Sequence, residues 1–116
     1  KPIIYSTAPS LFDTALGEES LNYIVNNTVE LKRKIKACQR VIKEELNIEA
    51  MSLIIPIEIA DNKKVIQIQK ELRKSGFLVG AIRQPTVKSA IIRLIAKIDV
   101  DPEILRKVCK SLKEFI

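Results

Sequence analysis

A chain of 116 residues has room for one domain with a core of its own. Its 47% apolar and 29% charged residues exclude disorder, and no window approaches the roughly 18 apolar residues of a membrane-spanning helix. The net charge of +6 admits an anionic partner, yet two Tyr, three Phe and no Trp leave few stacking platforms for nucleic acid, and the absence of His excludes Ser-His-Asp or Cys-His catalysis within the chain.

The first predicted element is a short extended piece, Ile3 to Tyr5, ending in the hydroxyl pair Ser6 and Thr7. Pro9 and Ser10 then open a helix that runs to about Val25, with Leu11, Ala15 and Leu16 on one side, until Asn26 and Asn27 break it. Thr28 is expected to cap the next helix. There Leu31, Ile35, Cys38, Val41 or Ile42, and Leu46 recur as one buried stripe, and Lys32, Lys36, Arg40 and Lys43 line another side, a basic stripe that can touch phosphates or serve as a solvated face. A strand over residues 53–60 places Leu53, Ile55, Ile57 and Ile59 on one face. Pro56 cannot donate to a ladder, which puts this strand at an edge or at a bulge. Asp61 or Asn62 caps a third helix with Val65, Ile68 and Leu72 inward, and Gly76 stops it.

Residues 77–82 and 90–97 read as two further strands joined by a short loop, hence antiparallel. Asp101, Pro102 and Glu103 give the last helix its cap, its first residue and its first-turn acid, and Ile104, Leu105, Val108, Leu112 and Phe115 are expected to face the core. The fold class is therefore α+β: a small, mostly antiparallel sheet with helices on one face, preceded by long helices. Cys38 and Cys109 share no metal-ligand spacing and read as buried reduced thiols.

Three groups of residues invite a ligand. Arg83 and Arg93 sit on apolar runs that flank a Pro-Thr turn holding Thr86. On the last strand, alternation sets Ile91, Arg93, Ile95 and Lys97 on one face and Ala90, Ile92, Leu94 and Ala96 on the other. Arg93 between two isoleucines can snorkel to an edge, pair with an internal carboxylate, or present its fork to a substrate carboxylate. Thr86 is likewise ambiguous: it can face a ligand or bond its own backbone. Ser6 and Thr7, at a helix entrance, can cap it or hold a phosphate.

The string Gly76-Phe-Leu-Val-Gly-Ala-Ile-Arg-Gln-Pro-Thr-Val, followed by Ile92-Arg93-Leu94 and a capped helix, resembles the C-terminal region of the α-oxoamine synthases. These are pyridoxal-phosphate enzymes of the aspartate aminotransferase fold, and Ile4-Tyr5-Ser6-Thr7 is similar to a segment that follows their cofactor lysine. The string looks most like the members that join a pimeloyl thioester, on coenzyme A or a carrier protein, to L-alanine with loss of carbon dioxide in biotin synthesis. Their usual Ala-Ile-Arg-Pro-Pro-Thr-Val-Pro differs here at Gln84, and the Pro and Gly that follow are replaced by Lys88-Ser89-Ala90 with one residue fewer.

The resemblance implies a cytoplasmic homodimer with no nucleic-acid or membrane partner. Residues 1–27 would be the tail of a large domain and 28–116 the C-terminal small domain. Ser6 and Thr7 would reach the phosphate of pyridoxal 5′-phosphate in the neighbouring subunit, Arg93 would bind the substrate carboxylate, and Thr86 and Arg83 would lie on the substrate side. The lysine that forms the Schiff base would precede Lys1, so the chain would be an inactive fragment by itself. The other readings are a different α-oxoamine synthase, or a free-standing basic module that binds nucleic acid.

Overall fold

Ser10 starts the first helix, α1 (Leu11–Asn26), as the local chemistry requires: its hydroxyl accepts the Asp13 N–H at 3.0 Å. The computed structural model describes residues 10–116, so the extended piece from Ile3 to Tyr5 and the pair Ser6 and Thr7 lie outside the described residues. The chain divides into two compact units, residues 1–32 and 33–116. In the first unit no side chain of α1 is buried, and Leu11, Phe12, Leu16 and Leu21 are exposed. Asn27 closes α1, and its side-chain amide donates to the Tyr23 carbonyl at 2.8 Å.

Thr28 does not cap the following helix. It is the first residue of α2 (Thr28–Leu46), and its hydroxyl donates back to the Ile24 carbonyl at 2.7 Å. One residue separates the two helices, which keeps Thr28 helical and lets its side chain satisfy the last carbonyls of α1. Further along α2, Cys38, Val41 and Ile42 are buried and Leu46 packs against the core, while Lys32, Lys36, Arg40 and Lys43 are exposed. Lys43 pairs with Glu49 at 2.7 Å, as on an ordinary solvated face.

The second unit continues with β1 (Ile54–Glu58), α3 (Asn62–Lys74), β2 (Gly80–Ile82), β3 (Ile91–Ile95) and α4 (Pro102–Lys113). The sheet order is β1-β3-β2, antiparallel throughout, so β3 enters between the two strands that α3 connects. Pro56 lies on edge strand β1, where its missing N–H breaks no ladder. Asp61 is the cap of α3 and accepts the Lys63 and Lys64 N–H groups. Gly76 (φ +87°) takes the left-handed position that ends α3, with Gly76 N–H on the Arg73 carbonyl and Phe77 N–H on that of Leu72.

One face of the sheet carries the core. Ile55, Ile57, Ile92 and Leu94 are buried with Val65, Ile68 and Leu72 of α3 and with Leu105, Val108, Cys109 and Leu112 of α4. Ile104, expected in that core, is 45% exposed. The buried stripe of α4 recurs at Leu105, Val108, Cys109 and Leu112, and a residue one position before it is rotated about 100° away.

Arg106 ties α4 to the end of α2. It reaches Glu45 at 2.8 Å and Glu44 at 2.9 Å, with Glu103 at 3.6 Å, and these hydrogen bonds push its pKa further above the arginine range. Both cysteines are free and buried. Burial pushes the Cys38 thiol up, and burial followed by the charge of Glu45 pushes Cys109 up to about 11, so neither is an activated nucleophile at neutral pH.

Candidate functional site

Strand β3 decides where the arginines go. Alternation sends Ala90, Ile92, Leu94 and Ala96 into the core, each 4% exposed or less. Within the second unit no described helix packs its core stripe on the opposite face, and Arg93 is exposed rather than buried between its isoleucine neighbours. The sheet has one helical layer, and that is why an arginine is tolerated on its central strand.

Arg93 stands across from Pro56 on β1 and from Gly80 on β2. A Cβ on Gly80 would lie 3.3 Å from Arg93 Nε and 3.4 Å from Arg93 Cβ, so the arginine arm lies over bare glycine backbone. Leu78, Val79, Gly80, Arg93 and Ile95 line a shallow depression of about 310 Å³. Among the described residues Arg93 has no ion-pair partner. An unpaired planar fork with apolar flanks is suited to a carboxylate, which it can meet with two parallel N–H···O bonds.

Gly80 was not singled out in the sequence, although a glycine inside a strand signals a close approach of other atoms. Gly80→Ala is expected to shift the Arg93 side chain by a few tenths of an ångström and to weaken carboxylate binding by less than removal of Arg93 does. Titration of the intact protein with a carboxylate ligand measures this, and an unchanged dissociation constant would show that the arm's position over Gly80 is immaterial.

Arg83 is not brought to Arg93. It follows β2 and lines a separate depression of about 320 Å³ with Asn62, Lys63, Ile66 and Gln84 at the start of α3. Thr86 is exposed in the turn, where its N–H donates to the Arg83 carbonyl at 3.1 Å and the Gln84–Pro85 peptide is cis. The Asn62 side chain holds this turn by accepting the Gln84 N–H at 3.1 Å, and the Gln84 amide donates to the Lys88 carbonyl. The shortened Lys88-Ser89-Ala90 link leaves the register whole: Ile82 still faces Ile91, and the Ala90 carbonyl accepts the N–H groups of Ile59 and Ala60.

Ser6 and Thr7, the residues read toward a phosphate, lie outside the described residues. None of the described lysines is buried, whereas a Schiff-base lysine is activated by desolvation or a neighbouring cation. Among the described residues no cluster of His, Cys, Asp or Glu could hold a metal ion, and no helix is long and apolar enough to cross a membrane.

No family model matches the chain. It is 33% identical over 115 residues to the 8-amino-7-oxononanoate synthase of Helicobacter pylori, a match that covers 99% of this chain and 31% of that protein. The synthase of the same name from Methylocella silvestris is 34% identical over 97 residues, covering 81% of this chain and 27% of the relative. The crystal structure of 8-amino-7-oxononanoate synthase from Francisella tularensis has the same fold over 88% of this chain and 32% of its own length, with a TM-score of 0.62 at 18% identity. The chain spans about a third or less of the length of these relatives, and the match falls on their C-terminal part.

Proposed function

We propose that this chain is the C-terminal part of an 8-amino-7-oxononanoate synthase, a pyridoxal-phosphate-dependent acyltransferase of biotin synthesis that condenses a pimeloyl thioester with L-alanine. The observation that carries the reading is Arg93, a guanidinium with no ion-pair partner among the described residues on the exposed face of the central strand, in a chain similar to synthases of that name over 99% of its length. In this reading residues 1–27 end the large domain and 28–116 form the small one. The whole protein is a cytoplasmic homodimer.

Arg93 would take the alanine carboxylate in a bidentate grip, fixing which bond at the α-carbon stands ready to break. A lysine there would supply charge without that orientation. Thr86 and Arg83 would lie along the substrate beside the turn, and Ser6 and Thr7 would hold the cofactor phosphate. Pyridoxal phosphate, when bound, supplies the electron sink for the carbanion formed at the α-carbon. The lysine that binds it would belong to the part of the relatives this chain does not cover.

Two measurements test the reading. The coding sequence upstream of Lys1 is expected to contain a lysine in a Ser/Thr- and Gly-rich context shortly before it, and a start codon at the boundary would sink the proposal. The 116-residue chain made alone is expected to keep no cofactor absorbance after dialysis with pyridoxal phosphate and to show no synthase activity. A Schiff-base band that survives dialysis would contradict it.

A further inference from the structure

The depression beside Arg93 does not end there. It shares Leu78, Val79 and Ile95 with a larger cleft of about 370 Å³, whose far side carries Lys97 and Ile104. Arg93 and Lys97 lie on the same face four residues apart, a span of about 13 Å along an extended chain. Neither has an ion-pair partner among the described residues. Of the acids nearest Lys97 in sequence, Asp99 lines a different depression with Arg33 and Lys34, and Asp101 accepts the Glu103 N–H at 2.9 Å.

Between the two cations the surface is aliphatic, formed by Leu78 at 81% exposure and Ile95 at 51%. A groove with a cation at each end and an apolar middle is complementary to a flexible hydrocarbon chain that is anionic at both ends. We propose that Lys97 anchors the far carboxylate of the acyl donor and so selects an ω-carboxylated acyl chain over a methyl-ended one. This rests on the function proposed above: Arg93 holds the amino-acid carboxylate, the acyl carbonyl must reach the adjoining α-carbon, and the chain then runs over Leu78 and Ile95 toward Lys97. The lysine stem can lie on the aliphatic surface with its ammonium at the end of the groove.

The test uses the full-length protein with its cofactor and L-alanine, and two thioesters of equal length, one ending in a carboxylate and one in a methyl group. Lys97→Met is expected to raise KM for the carboxylate-ended thioester roughly 10- to 100-fold, with kcat and the methyl-ended KM unchanged, and Lys97→Arg to restore most of the loss. Calorimetric binding of a non-hydrolysable ω-carboxylated amide analogue is expected to weaken by the same factor. Equal KM changes for both thioesters, or no change for either, would overturn the role of Lys97 and leave the proposed function standing. No turnover of either thioester by the unsubstituted protein would remove both.

Discussion

Arg93→Ala in the full-length protein is expected to weaken L-alanine binding by about 1.5–3 kcal/mol, or roughly 10- to 150-fold, the contribution of hydrogen bonds to a charged group. The side chain has no partner among the described residues to lose, so the substitution leaves no buried charge behind and the fold should be unaffected. Arg93→Lys keeps the charge and loses the fork, and should fall between the two. Alanine titration followed by the absorbance of the bound cofactor gives the dissociation constant directly. An unchanged value in Arg93→Ala, with an unchanged melting temperature, would exclude the carboxylate role and return Arg93 to being a solvated surface arginine.

The second large effect is on stability. Ile92 is fully buried at the centre of β3, paired with Ile57 on one side and Ala81 on the other. Ile92→Ala is expected to destabilise the second unit by about 2–5 kcal/mol, through lost burial and the cavity left under α3 and α4, and Ile92→Val by about 0.5–1.5 kcal/mol. Domains of this size are stable by only about 5–15 kcal/mol, so the alanine variant should lose a large share of its margin. Denaturant unfolding of each variant measures it. A difference below about 1 kcal/mol for Ile92→Ala would mean that β3 is not the centre of the core. Arg93, one residue further along the same strand, is exposed, so the two substitutions are expected to separate an effect on binding from an effect on stability.

Most elements were legible because their signals are local. Asp101-Pro102-Glu103 states a helix start by itself, since the cap, the fixed φ and the first-turn acid each act within one turn. Gly76 states a helix end for the same reason. The alternation along residues 90–97 assigned every side chain to its face, because the period of a strand admits only two answers. Local signals also misled. Thr28 reads as a cap by residue type, but the one-residue gap after α1 turned its hydroxyl backward. Ile104 reads as core by composition, yet the phase of α4 was set by four other residues.

The site was legible only in part. Arg93 drew attention because an arginine in an apolar strand is unusual, but nothing in the sequence said that Gly80 would lie beneath its arm or that Arg83 would line a different depression. Those facts depend on strand order. The sequence by itself determined the elements, their caps, and which side chains share a face, since these follow from contacts within a few residues. Helices on one side of the sheet were expected from the sequence; only the tertiary structure decided that β3 inserts between β1 and β2. That insertion pairs residues far apart in the chain, and it is long-range burial, not local preference, that selects it.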